Sequence, residues 1–122
     1  MKIKTSDLQG IALDFMVAKA GGGKGDVWNF IAAHADRSMY HYSSDWARGG
    51  PIIEREGIDL WCNTPSSIAE KHSGWTSSWR ACFHRCGVGT EPCYGLTPLI
   101  AAMRCYVASK LGDEVDVPEE LL

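Results

Sequence analysis

Ser44-Asp-Trp-Ala-Arg-Gly-Gly-Pro-Ile-Ile-Glu-Arg-Glu-Gly-Ile-Asp-Leu-Trp61 is the stretch on which the reading of this chain turns. It holds Trp46 and Trp61, Arg48 and Arg55, and the break Gly49-Gly50-Pro51. The two glycines admit backbone conformations that a Cβ disfavours, and Pro51 then fixes φ. The expectation is a strand-loop-helix corner. Ser43–Gly50 reads as loop, and Pro51 suits the first turn of a short helix over Ile52–Glu56. Gly57 stops that helix, and Ile58–Cys62 alternates as a strand. A glycine loop bordered by indoles and guanidiniums brings exposed amides close to a ligand. The plainer reading makes both tryptophans core.

N-terminal to this corner, residues 1–4 alternate as a short edge strand. Thr5 or Ser6 can cap a helix with Asp7 in its first turn, and Leu8, Ile11, Ala12, Phe15 and Met16 recur on one helical face. Gly21 offers a left-handed cap, and Gly21–Gly25 then forms a loop. Lys24 lies in that loop without the spacing of a phosphate-binding P-loop, so a solvated linker is expected. Val27–Ala35 fits either a strand or a short helix, with His34 as a satisfied structural histidine. Ser38–Tyr42 reads as a strand with Met39 and His41 on one face and Tyr40 and Tyr42 on the other.

C-terminal to the corner, a polar insertion begins at Thr64-Pro-Ser-Ser. Thr76–His84 then reads as a strand with Trp79, Ala81 and Phe83 on one face and Arg80, Cys82 and His84 on the other. Gly87–Gly95 is a glycine-rich connection. Thr97-Pro98 pairs a cap residue with proline at the first helical position, and Leu99, Ile100, Met103, Tyr106, Val107 and Leu111 give the apolar face up to Gly112. The acidic tail 113–122 is expected to be extended and solvated, with Val115, Val117 and Leu121 packing back. Helix, short strands, then helix predicts an α+β fold: a small antiparallel or mixed sheet packed by an N-terminal and a C-terminal helix.

The chain has 122 residues, enough for one domain over 1–122 with one core and the acidic tail. Its net charge of −3 and pI near 5.7 argue against a binder of long nucleic acid, though not against a local basic pocket. No apolar run reaches the roughly 20 residues that a membrane span needs. Met1-Lys-Ile-Lys-Thr leads into an amphipathic segment, and the cysteines (62, 82, 86, 93 and 105) are odd in number. Both features lead us to expect a reducing cytoplasm and free thiols, with Cys105 a small buried residue of the last helix.

Two blocks, DWARGGPIIEREGIDLW (45–61) and GLTPLIAAMRCYVASKLGDEVDVPEEL (95–121), together with the opening MKIKTSDLQGIALDFMVAKA, resemble the NinX-like family of bacteriophage accessory proteins. Phe15 stands where that family usually carries tryptophan, and residues 21–42 and 63–94 depart more from its pattern. The resemblance implies a phage protein working in the host cytoplasm and supplies no established chemistry.

Three readings of the chemistry follow. In the first, the chain binds a small nucleotide-like ligand. Trp46, Trp61 and Trp79 supply stacking faces, Arg48, Arg55 and Arg104 hold phosphates, and the Gly49-Gly50 amides and the Thr97 helix start add anion-binding N–H groups. Pro51 shapes the wall, and the pocket is expected between the corner and the Thr97–Arg104 segment. From a phage, such a binder without a catalytic set or cofactor reads as a sponge for a bacterial immune signal, and a homo-oligomer is expected to complete the pocket.

The plainer alternatives place Trp61 and Trp79 in the core and solvate Arg104, or pair it with Glu54 or Glu56. The second reading is a zinc site at Cys82, His84, Cys86 and Cys93, whose spacing differs from the usual C-x₂-C knuckle. The third is a protein-interaction module inhibiting or modulating a host or phage protein. Catalysis has the least support, because no histidine or nucleophile is paired by motif with Asp45, Glu54 or Glu56.

Overall fold

The two ends of the chain pair with each other. In the computed structural model, which describes residues 1–36, 40–63, 78–83 and 92–122, strand β1 (Lys2–Lys4) lies antiparallel to β5 (Glu114–Asp116). The register sets Lys2 against Asp116 and Lys4 against Glu114, so opposite charges face across the outer side while Ile3 meets the buried Val115 within. The Met1 ammonium adds bonds to Asp116 Oδ1 at 2.9 Å and to the Val117 carbonyl at 3.0 Å. The tail packs back through Val115, Val117 and Leu121 as expected, but its extended part is a paired strand, followed by a 3₁₀ turn (Glu119–Leu121).

Thr5 does not cap the first helix. It sits in a 3₁₀ turn (Thr5–Asp7), and its hydroxyl donates to the Gly112 carbonyl at 2.7 Å, closing the junction of the two termini. Helix α1 begins at Gly10 and runs to Ala20, with Gln9 as an N-cap whose side chain makes no capping bond. Ala12 through Val17 are buried without interruption, so this is not the one-faced helix that periodicity predicts. At its end Gly21 has φ −81°, and the left-handed residue is Gly22 at φ 91°. Val27–Asp36 resolves as a helix, α2.

The corner is the largest departure from expectation. Trp46 to Glu56 is one continuous helix, α3, that absorbs both the supposed loop and Pro51. Asp45 caps it by accepting the Ala47 N–H at 3.0 Å, and Gly57 ends it at φ 67°. Pro51 stands in its interior, where the missing N–H forgoes a bond to the Ala47 carbonyl. Gly50 makes this tolerable: the clash that bars a residue before proline from helical geometry involves a Cβ that glycine lacks. Gly49 is glycine for another reason. A Cβ there would collide with the Tyr42 carbonyl oxygen and lie 2.6 Å from Leu99 Cδ2.

Strands β2 (Ile58–Asn63), β3 (Ser78–Phe83) and β4 (Cys93–Gly95) form an antiparallel sheet in sequence order. The glycine-rich connection thus contributes a strand at its end. Ile58, Leu60, Trp79, Ala81 and Phe83 face the core, whereas Trp61 and Arg80 stand opposite one another on the outer face. Helix α4 (Pro98–Leu111) packs on all three strands, on α1 and on α3. Ala101, Ala102, Met103, Cys105, Tyr106 and Val107 are all buried on it, which is the pattern of a helix covered on several sides. Leu111, expected on its apolar face, is exposed. The fold is α+β, with four helices and two small antiparallel sheets among the described residues.

Ser38 and Met39 of the expected strand lie outside the described residues, and Tyr40–Tyr42 carries no strand. The insertion from Thr64, and His84 and Cys86, also lie outside the described residues.

Candidate functional site

A cleft of about 750 Å³ opens between the end of α1, the segment at Tyr40–Tyr42, the length of α3 and the last turns of α4. On α3, Arg48, Pro51 and Arg55 follow the i, i+3, i+7 spacing that sets three residues along one helical stripe. At about 1.5 Å rise per residue the two arginines are separated by roughly 10 Å along the axis. Tyr106 and Lys110 face them from α4, and Tyr40 and Tyr42 close another side. The lining carries Arg48, Arg55 and Lys110 against Glu56, a local excess of positive charge in a chain whose net charge is −3.

These side chains are held to different degrees. Arg55 donates from Nη2 to the Tyr106 hydroxyl at 3.4 Å and from Nε to Glu56 Oε1 at 3.3 Å. Its guanidinium lies 5.9 Å from the Tyr106 ring centroid. Lys110 Nζ approaches the other Glu56 oxygen at 3.9 Å. Glu56 therefore braces one end of the cationic wall. Arg48, at the other end, is exposed and lines the cleft directly. The Tyr42 phenol holds its proton above the ordinary tyrosine value, chiefly because burial disfavours the phenolate, with the Tyr40 and Asp14 charges acting in the same sense and Arg48 opposing them. Tyr42 is thus a neutral hydroxyl beside a free cation.

The segment that presents the tyrosines is pinned from below. Asp14, 2% exposed, accepts the Ser43 N–H at Oδ1 and meets His34 Nε2 at Oδ2, both at 2.8 Å. The His41 ring stacks on His34 at 4.0 Å and donates from Nε2 to the His34 carbonyl. His34 is the satisfied structural histidine that its context suggests. Asp14, at the centre of this network, had no distinguishing signal in the sequence beyond being an acid in an apolar helix.

The structure brings together Arg48, Pro51 and Arg55 of the expected ligand set. The others stand elsewhere. Trp46 is 55% exposed on α3 and does not line the cleft. Trp61, 43% exposed, stacks under the Arg80 guanidinium at 4.9 Å on the outer face of the sheet. Trp79 packs against the core. The Gly49 N–H donates to the Asp45 carbonyl within α3, so no amide nest forms there, and Gly50 is likewise helical. The Thr97 hydroxyl is engaged as the α4 cap, accepting the Ile100 N–H at 3.1 Å. Arg104 donates to the Leu8 carbonyl at 2.7 Å and to the Tyr94 carbonyl at 2.8 Å, neither a free phosphate ligand nor a partner of Glu54 or Glu56. Burial lowers its pKa. The cleft side of the corner therefore faces Tyr106 and Lys110 near the end of α4, while Gly49 packs on Leu99 at its start.

For zinc, Cys82 and Cys93 cannot converge on one sheet face. Cys93 pairs with Ala81, the neighbour of Cys82, and alternation turns the two thiols to opposite sides. Cys93 turns inward to the Cys105 thiol, whose hydrogen bond lowers the Cys93 pKa against the opposing effect of burial. Among the described residues no group of three or more His, Cys, Asp or Glu could hold a metal ion.

Sequence reasoning missed Tyr106 and Lys110 as site residues, because Tyr106 reads as one more apolar position of α4 and Lys110 as a solvated last-turn cation. It did put Tyr40 and Tyr42 on one face, although through a strand that is not there.

The family model described as Bacteriophage P22, NinX matches residues 4–110, and the chain belongs to that family. No curated protein matches the chain. Among the described residues no helix is long and apolar enough to cross a membrane.

Proposed function

We propose that this chain is a non-enzymatic binder of a small nucleotide-like anion, and that it sequesters a nucleotide-derived immune signal in the cytoplasm of the phage's bacterial host. The observation that carries the reading is the stripe of Arg48 and Arg55 facing Tyr42, Tyr106 and Lys110 across one cleft. Guanidiniums form charge-assisted forks with phosphate oxygens, and they are more weakly hydrated than an ammonium when they do so. Phenol rings and hydroxyls beside them suit a ribose or a base. The one carboxylate among the described lining residues is Glu56, which is committed to Arg55 and Lys110. A carboxylate held in that way supports capture of a ligand better than turnover. Membership of a phage family makes a host signal the natural target. A second copy of the chain could complete the open side of the cleft.

The test is to purify the protein from bacteria whose nucleotide-signalling defence has been triggered, denature it, and identify the small molecules released. An intact nucleotide is the expected product. A cleaved nucleotide would make the protein an enzyme, and an empty cleft would remove the sponge reading.

The interaction-module reading keeps one specific observation in its favour: the indoles of Trp28 and Trp46 are 62% and 55% exposed. Tryptophan is enriched at protein interfaces. A stoichiometric protein partner recovered from host lysate, lost on Trp28→Ala or Trp46→Ala, would support that alternative.

A further inference from the structure

A smaller cavity of about 150 Å³ lies against the cleft, and Ala18, Gly23 and Tyr40 border both. Phe15, Phe30 and Tyr40 wall it. Phe15 and Phe30 meet edge to face at 5.1 Å and 81°, and Phe30 and Tyr40 lie 5.0 Å apart at 50°. Its described lining also includes Lys19 and Asn29, both of them exposed residues. Lys19 Nζ stands 5.5 Å from the Phe15 centroid, and Asn29 lies on the exposed side of α2. Gly23 keeps the partition thin: its N–H donates to the Ala18 carbonyl at 2.9 Å, and a Cβ would stand 2.8 Å from that same oxygen.

We infer that cleft and niche form one bipartite site, in which the niche takes the single-ring base of a pyrimidine nucleotide and the cleft takes its phosphates. The inference rests on reading the cleft as an anion site and adds the identity of the other end of the ligand. Size selects the ring. A cavity of roughly 150 Å³ lined by apolar side chains accommodates one benzene-sized ring, and a bicyclic purine exceeds that. Chemistry selects the edge. The Asn29 amide offers both a donor and an acceptor, and Lys19 offers donors only. Uracil matches this rim with carbonyl acceptors on either side of an N–H donor. A cationic pyridinium ring would instead be repelled by Lys19. Tyr40, shared by both cavities, stands where the sugar passes from one to the other.

The experiment is isothermal titration of the full chain with uridine diphosphate, adenosine diphosphate and inorganic pyrophosphate, repeated on Asn29→Ala and Arg48→Ala. The expected result is uridine diphosphate binding at least roughly tenfold tighter than pyrophosphate, with adenosine diphosphate no tighter than pyrophosphate. Asn29→Ala should erase the uridine advantage and leave pyrophosphate unchanged, while Arg48→Ala weakens both. If pyrophosphate binds and uridine diphosphate gains nothing over it, the niche assignment is overturned and the anion cleft survives. Preference for adenosine diphosphate overturns the single-ring assignment. If none of the three binds, the anion reading fails and this inference falls with it.

Discussion

His34 Nε2 on α2 meets Asp14 Oδ2 on α1 at 2.8 Å, and through that one carboxylate the two helices and the Tyr40–Tyr42 segment are tied together. Asp14→Ala leaves the buried Ser43 N–H without an acceptor and removes the histidine's partner. A loss of about 1–3 kcal/mol is expected, since an unmet buried donor costs that much. Urea unfolding measures it, and an unchanged midpoint would deny Asp14 this role.

Gly49 and Gly50 are adjacent in α3 yet should respond differently to the same substitution. Gly49→Ala drives a methyl into the Tyr42 carbonyl and the Leu99 side chain, an overpacking expected to cost about 1–3 kcal/mol. Gly50→Ala meets only Trp46 Cε3 at 3.8 Å. Better helix propensity then offsets the pre-proline restriction, for a change under about 1 kcal/mol. Thermal melts of the two variants give the comparison. Equal effects would contradict the packing of α3 against α4.

Arg104 bridges α4 to the Leu8 and Tyr94 carbonyls. Arg104→Ala should destabilise the fold by about 1–3 kcal/mol while ligand capture by the folded fraction is unchanged. Loss of capture without loss of stability would return Arg104 to the binding set.

Tyr42 gives a pH signature. Its pKa is raised, first by burial, so the folded chain keeps this proton longer than the unfolded chain does. The resulting stability is complete below the ordinary tyrosine value of about 10 and is lost as pH rises through the folded-state value. Stability measured between about pH 9 and pH 11 should therefore fall less steeply in Tyr42→Phe than in the parent. Parallel curves would show that the phenol is not held as described.

The end helices, the β2 and β3 strands and the buried Cys105 were legible in the sequence because periodicity and the Thr97-Pro98 start report on local geometry. The corner was not. Gly-Gly-Pro is punctuation in most contexts, and only the approach of Gly49 to Tyr42 and Leu99 reveals why a helix needs glycine there. The paired tail was hidden because its partner, β1, lies at the far end of the chain. The site was legible in part: Arg48, Pro51 and Arg55 share a helical stripe once α3 is known to be continuous. Trp46 and Arg104 misled because residue type alone does not say which way a side chain faces or which carbonyl it already serves.

The central claim is that the Arg48–Arg55 stripe captures a nucleotide-like ligand. Native mass spectrometry of the protein taken from cells with an activated nucleotide-signalling defence tests it most directly. The parent chain should carry a nucleotide-mass adduct that is absent from Arg48→Ala/Arg55→Ala and retained by Trp61→Ala, whose side chain stacks on the far face of the sheet. An adduct undiminished by loss of both arginines, or a parent chain that carries none, would contradict the claim.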